Sequence, residues 1–315
     1  MKKLTSFALA FVLMLGVLAA ISGCDVLSAI DNSDPVVPAV SDPVVSDSGD
    51  SGVVRSDDPF RPEMSKDIEA AEKTRGSEKG WDSYLDTTSA NAFISGMKEI
   101  YDITLIDENG YLSGRDGEWS MTSLDYGLGV FSPEFIKKLV AVYASYNARF
   151  VIKLVPAEVQ GHAGMTEWVE NSEITIYLRY VEGDYYYNGV CASTLAHELG
   201  HAVQFIADKQ IGEQKILDDM TLINNGFPYV GDNWDEEWKL EKYTAFANAY
   251  STKNYKEDIA TTIEMLVGTP TAAQMLFSEP ANKIIREKTE YIRGLFYQTV
   301  SNDCAKVFSP LDQAK

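Results

Sequence analysis

The sequence contains little cysteine, little histidine and few basic residues. Three cysteines in 315 residues are too few for a disulfide-rich scaffold, and at positions 24, 191 and 304 they lack the closely spaced pair of a metal site of two cysteines and two histidines. Lysine and arginine number 27 against 47 acidic residues, for a net charge of −20. This charge repels phosphate backbones, so we expect no nucleic-acid partner. A hydrophobic content of 45% is typical of a globular protein and excludes a wholly disordered or fibrous one.

A long apolar run occurs at the N-terminus. Lys2 and Lys3 precede it, and it extends from Leu4 to Ile21. This pattern predicts an export signal over residues 1–23. The segment Ile21-Ser22-Gly23-Cys24 resembles the bacterial lipobox, which implies a lipid on Cys24 and a place in the bacterial cell envelope, on its periplasmic or extracellular face. An uncleaved membrane-spanning anchor is the alternative. Either way, the protein is expected to be exported and tethered to a membrane.

Residues 24–62 differ in composition from the rest of the chain. They are rich in Asp, Ser, Pro and Val, and the motif SDPVV occurs at 33–37 and again at 41–45. Proline blocks regular pairing and like charges extend a chain, so this segment is predicted to be a disordered acidic linker. No comparable bias interrupts residues 63–315, which are therefore predicted to form one domain.

Within that domain, apolar periodicity predicts helices and strands. Ser132-Pro133-Glu134 is a helix start, and its helix is expected to continue to about Asn147. A second helix is predicted from Ser193 or Thr194 to about Lys209. Two strands are predicted over 150–155 and 174–180, and three further helices over 241–249, 256–267 and 281–300. This order predicts an α+β fold with a mainly helical C-terminal half.

The central helix carries His197-Glu198-Leu199-Gly200-His201, an HExxH motif. Residues four apart share a helix face, so His197 and His201 can bind one metal ion with Glu198 beside it. Two imidazoles and one carboxylate form a catalytic zinc site, in which the metal lowers the pKa of a bound water toward neutrality. Glu198 can then act as general base and pass the proton to a leaving amine. The motif predicts one Zn²⁺ per chain and hydrolysis of peptide bonds.

The third ligand is not part of this motif. No histidine follows His201, so the longer three-histidine pattern of metzincins is absent. His162 is predicted to be a solvated loop residue. A carboxylate is the remaining choice, and the acids considered for it in the second half are Glu241, Glu257, Asp258 and Glu264.

Three segments resemble the gluzincin domain of lethal-factor-type toxins and of bacterial zinc-binding metallopeptidase lipoproteins. They are FSPEFIKKLVAVYASYNARFVIKLV, STLAHELGHA and YSTKNYKEDIATTIEML. The resemblance covers about residues 130–300 and implies a zincin-like fold, with a small mixed sheet and an edge strand beside the HExxH helix. It also implies Glu257 as third zinc ligand and Tyr250, seven residues earlier, as donor to the oxyanion of the tetrahedral intermediate. The chain departs from the family at Thr261, where a second acid is common.

These observations predict an exported, membrane-tethered zinc endopeptidase. If strand 174–180 lies at a sheet edge, its free backbone groups can bind an extended protein or peptide substrate by strand addition. The alternative is a zinc-containing surface lipoprotein that binds a peptide or glycan without cleaving it. Two further points stay open, which are the oligomeric state and whether Cys191 and Cys304 form a disulfide or remain free thiols.

Overall fold

The computed structural model describes residues 87–114, 117–156, 163–180, 190–234 and 244–314. The predicted export signal, Cys24 and the linker lie outside these residues, and so do His162 and Glu241. Among the described residues, none of the helices combines the length and apolar character needed to cross a bilayer.

Nine α-helices and four strands make up the described chain. In chain order they are α1 (Thr87–Tyr101), β1 (Thr104–Ile106), α2 (Gly117–Phe131), α3 (Pro133–Ser145), β2 (Arg149–Pro156), β3 (Gly164–Val169), β4 (Glu173–Tyr180), α4 (Ala192–Ala207), α5 (Glu213–Ile223), α6 (Tyr255–Gly268), α7 (Pro270–Ser278), α8 (Lys283–Thr299) and α9 (Ser309–Gln313). A π-helical turn, Asp208–Gly212, joins α4 to α5. The predicted α+β class and the mainly helical C-terminal half are confirmed.

The four strands form one mixed sheet in the order β1-β2-β4-β3. β1, β2 and β4 are parallel, whereas β3 runs antiparallel to β4. Strand 174–180, which is β4, does not meet the condition for strand addition, because it pairs with β2 on one side and β3 on the other. The edge strand beside the HExxH helix is β3, which returns to β4 through a tight turn with Asn171 at φ 57°.

Helix α3 forms where its sequence predicts it. Ser132 caps the helix by accepting a hydrogen bond from the Phe135 amide at 3.2 Å, and Pro133 occupies the first turn. Its buried face packs on the sheet, where the Tyr143 ring meets Phe150 and Trp168 edge to face. The Tyr143 hydroxyl donates to the Ala202 carbonyl at 2.5 Å. Helix α3 is thereby joined to the HExxH helix, α4.

The prediction of a helix over 241–249 is wrong for the residues that the structure describes, 244–249. Residues 244–249 form turns, and a 3-10 turn follows at Tyr250–Thr252. The reason is local, since Asn248 and Ser251 exchange hydrogen bonds between their side chains and backbones. Asparagine and serine compete in this way with the helical backbone ladder.

Neither Cys191 nor Cys304 is in a disulfide. Cys304 is completely buried, and burial raises the pKa of its thiol to about 12. Cys191 and Cys304 are therefore two separate thiols and do not form the disulfide that the sequence left open.

Candidate metal centre

The two histidines of the HExxH motif meet a glutamate from another helix. His197 and His201 lie one turn apart on α4, and their Nε2 atoms are 3.2 Å apart. Glu257, in the first turn of α6, places Oε2 3.3 Å from each of those nitrogens. The three side chains are between 12 and 15% exposed. They form a group that could hold a metal ion.

The spacing of these three atoms fits a tetrahedral cation. With metal–ligand bonds of about 2.0–2.1 Å, neighbouring ligand atoms in a tetrahedral zinc site are about 3.3 Å apart. Glu257 Oε2 is buried and has no hydrogen-bond partner among the described residues. Buried carboxylate oxygens are normally satisfied, so an atom of this kind between two imidazole nitrogens is explained by a cation. Two nitrogens and one oxygen are a donor set that suits zinc.

Close contact between α4 and α6 brings the glutamate to the histidines. Gly200, inside the motif, faces Ala260, and a Cβ on Gly200 would lie 2.9 Å from the Ala260 Cα. Asn254 begins α6 by accepting hydrogen bonds from the amides of Lys256 and Glu257 at 2.9 and 3.0 Å. The cap fixes the start of α6, and Gly200 lets the two backbones approach.

A second carboxylate supports His197 from its other ring nitrogen. Glu264 Oε2 lies 3.1 Å from His197 Nδ1. When Nε2 binds a metal, Nδ1 carries the proton and donates it in this hydrogen bond, which sets the tautomer and the ring orientation. Thr261 is a buried residue of α6, and Glu264, which supplies this carboxylate, lies about one turn further along the same helix.

The charges around His197 favour a cation at this point. Burial opposes a positive charge on the imidazole, but the carboxylates of Glu257 and Glu264, one beside each ring nitrogen, hold its pKa well above the ordinary value. For Glu257 burial also opposes the charge, yet His197 and His201 hold the pKa of its carboxyl well below the usual range. The site therefore places the ionised carboxylate of Glu257 beside two imidazoles, an arrangement that suits a divalent ion.

Tyr250 lies against the same group of residues. Its hydroxyl donates to Glu257 Oε1 at 3.1 Å, and its ring centroid is 6.2 Å from that of His197. Trp234 packs edge to face on the Tyr250 ring, with centroids 5.2 Å apart. The structure thus brings Tyr250 to the candidate centre, one hydrogen bond away from a candidate ligand.

Glu198 is buried, with 3% of its surface exposed. Its carboxylate is not among the three metal-facing groups and instead contacts the edge strand, where Thr166 Oγ1 lies 2.6 Å from Glu198 Oε2. Of the residues expected in the site, His197, His201, Tyr250 and Glu257 lie together, whereas Glu198 shares the helix of the two histidines and directs its carboxylate to the edge strand. Of the other acids considered as ligands, Asp258 points elsewhere and Glu264 contacts His197 from the side away from Glu257.

Sequence reasoning missed Thr166, Gly164 and the strand that carries them. The available signal was the Asn171 turn directly before β4, which is typical of a hairpin and implies a preceding strand. The sequence indicates Glu264 only as a competing ligand, because contacts between side chains of α4 and α6 depend on how the two helices cross.

No protein-family model matches the chain, and no curated protein matches its sequence. Among solved structures, the chain is similar to a protein of Bacteroides caccae described as "a putative zinc-binding metallo-peptidase". The TM-score is 0.46 and the identity 14%, over 73% of this chain and 94% of that chain.

Proposed function

We propose that the protein is an exported, membrane-tethered zinc endopeptidase. The observation that carries the proposal is the triangle of His197, His201 and Glu257, with ligand atoms 3.2 to 3.3 Å apart and Glu198 on the same helix as the two histidines. Export and tethering rest on the N-terminal sequence pattern, with Cys24 as the site of lipidation.

In this proposal His197, His201 and Glu257 hold one Zn²⁺, and Glu264 orients His197. When bound there, zinc would lower the pKa of a water molecule and polarise the scissile carbonyl. Glu198 accepts the proton from the attacking water and delivers it to the leaving amine. The Tyr250 hydroxyl, which lies beside Glu257, donates a hydrogen bond to the developing oxyanion.

The proposed substrate is an extended protein or peptide segment. β3 pairs with β4 along one side, and no described strand pairs with its other side. A strand edge presents unpaired amides and carbonyls that an extended chain can bind. Since β3 contacts Glu198 through Thr166, a peptide on this edge would run past the general base.

Metal content of the purified full-length protein tests the ligand set. We expect one zinc per chain in the wild type, and loss or strong reduction of zinc in His201→Ala and Glu257→Ala, because two ligands remain in each. Glu287→Ala, an exposed acid on α8, is the matched control and should retain zinc. A wild-type protein without zinc would refute the proposal, and zinc retained by Glu257→Ala alone would assign the third position to another acid.

The reaction is tested by Glu198→Gln in a digest of a peptide library. This variant should retain zinc and lose hydrolysis, since the amide cannot accept the proton from water. Cleavage by the wild type that stops on zinc removal supports the enzyme. Peptides that stay intact while bound to the zinc-loaded wild type would instead identify a binding lipoprotein.

A further inference from the structure

We propose that Thr166, on the edge strand, is a positioning residue for the Glu198 carboxylate. The catalytic meaning of this inference rests on the proposed function. The Thr166 hydroxyl lies 2.6 Å from Glu198 Oε2 and 3.1 Å from the Glu198 backbone carbonyl oxygen. A hydroxyl has one proton to donate, and the shorter distance indicates that its hydrogen bond goes to the carboxylate.

Gly164 bounds the same side chain at its other oxygen. A Cβ on Gly164 would lie 2.6 Å from Glu198 Oε1 and 2.8 Å from Glu198 Cγ. Residues 164 and 166 are two apart on a strand and therefore point to the same face. The edge strand thus contacts both carboxylate oxygens of Glu198, with the Thr166 hydroxyl at Oε2 and the Gly164 backbone at Oε1.

This arrangement restricts a flexible side chain. A glutamate has three rotatable side-chain bonds, and a catalytic group must be held within about 0.5 Å of its productive position. The hydrogen bond from Thr166 and the close packing at Gly164 reduce the conformations available to Glu198. The strand proposed to hold the substrate is therefore the same strand that orients the base, so substrate and base share one rigid support.

The test compares Thr166→Val, which removes the hydroxyl at nearly equal volume, with Thr166→Ser, which keeps it. Thr175→Val is the matched control, because Thr175 lies on the neighbouring strand and its hydroxyl also donates to a glutamate, Glu173, at 3.0 Å. In the full-length zinc-loaded protein we expect Thr166→Val to lower kcat about 10- to 100-fold with KM within about twofold. Thr166→Ser should stay within about threefold of wild type, and Thr175→Val should equal it.

A second measurement does not depend on turnover. Acetohydroxamate binds zinc and gives its proton to a neighbouring base, so its affinity, measured by calorimetry, reports on the position of Glu198. We expect Thr166→Val to bind it at least about fivefold more weakly than wild type and Thr175→Val to bind it equally, with one zinc per chain in both.

The outcomes separate this inference from the proposed function. A Thr166→Val protein with the kcat and the hydroxamate affinity of wild type would overturn the role of Thr166. A Thr166→Val protein that loses zinc, or in which only KM rises, would overturn it as well. A zinc-loaded wild type that binds acetohydroxamate but cleaves no peptide would refute the endopeptidase, while the hydroxamate comparison would still decide the role of Thr166. A wild type without zinc would overturn both.

Discussion

His197 contacts a carboxylate at each of its two ring nitrogens, Glu257 at Nε2 and Glu264 at Nδ1. Glu257 faces the candidate metal position, whereas Glu264 is on the opposite side of the ring. A carboxylate behind a ligating imidazole orients the ring and increases the basicity of the nitrogen that binds the metal.

Glu264→Ala should therefore lower zinc affinity by about 10- to 100-fold, with Glu264→Gln intermediate because the amide oxygen still accepts a hydrogen bond without the charge. Competition with a chromophoric chelator measures this affinity. Glu290→Ala, on the surface of α8, is expected to bind zinc as the wild type does. Equal affinities for wild type and Glu264→Ala would show that Glu264 does not support His197.

At the scale of elements, the site depends on how closely α4 and α6 approach. His197 and His201 belong to one helix and Glu257 to the other, so the three ligand atoms meet only at a short distance between the backbones. Gly200 permits that distance because it has no Cβ, and the backbone of Ala260 occupies the space that a Cβ would take.

Gly200→Ala should consequently lower both zinc affinity and the melting temperature, although alanine favours an isolated helix by about 1 kcal/mol over glycine. Its Cβ would meet Ala260 Cα at 2.9 Å and push α6 away. Gly129→Ala is the matched control, since a Cβ at this position of α2 meets nothing within 4 Å. It should equal or exceed wild-type stability in thermal unfolding. A Gly200→Ala protein with raised stability and full zinc affinity would contradict the argument.

For the whole molecule, a buried ion pair and its hydrogen bonds join four parts of the chain. Lys288 of α8 and Asp258 of α6 are both completely buried and 2.7 Å apart. Lys288 Nζ also donates to the Ala245 carbonyl in the segment before Tyr250, and Tyr229 donates to Asp258 at 2.9 Å. Burial lowers the pKa of Lys288 and raises that of Asp258, and each charge opposes the shift of the other. The pair therefore links α8 to α6, which carries Glu257, and to the segment that leads to Tyr250.

Lys288→Met should cost about 3–5 kcal/mol in the free energy of unfolding, because Asp258 is left buried without its partner. Urea denaturation followed by circular dichroism measures this change. Lys283→Met on the same helix is the control, since its side chain is 78% exposed and its substitution should stay within about 0.5 kcal/mol of wild type. If Lys288→Met were as stable as Lys283→Met, the ion pair would not be needed to hold α8 against α6.

Elements with local signals could be predicted from the sequence. Helices α3, α4, α6 and α8 occur where caps and apolar spacing indicate them, and strands β2 and β4 lie where β-branched residues cluster. The turns at 244–249 were mistaken for a helix because Asn248 and Ser251 satisfy their backbone groups through side chains. The position of β4 inside the sheet could not be predicted, since it depends on pairing with β2 and β3, and β3 itself was not recognised.

By itself, the sequence determined the pair of histidines and Glu198 on one helix, because residues four apart on a helix share a face whatever surrounds them. Its resemblance to gluzincins also indicated Glu257 and Tyr250. Only the tertiary structure decided that Glu264 contacts His197 and that Thr166 and Gly164 lie against the Glu198 carboxylate. The physical reason is that these contacts join residues between 32 and 67 positions apart, and their distances depend on how the helices and the sheet pack.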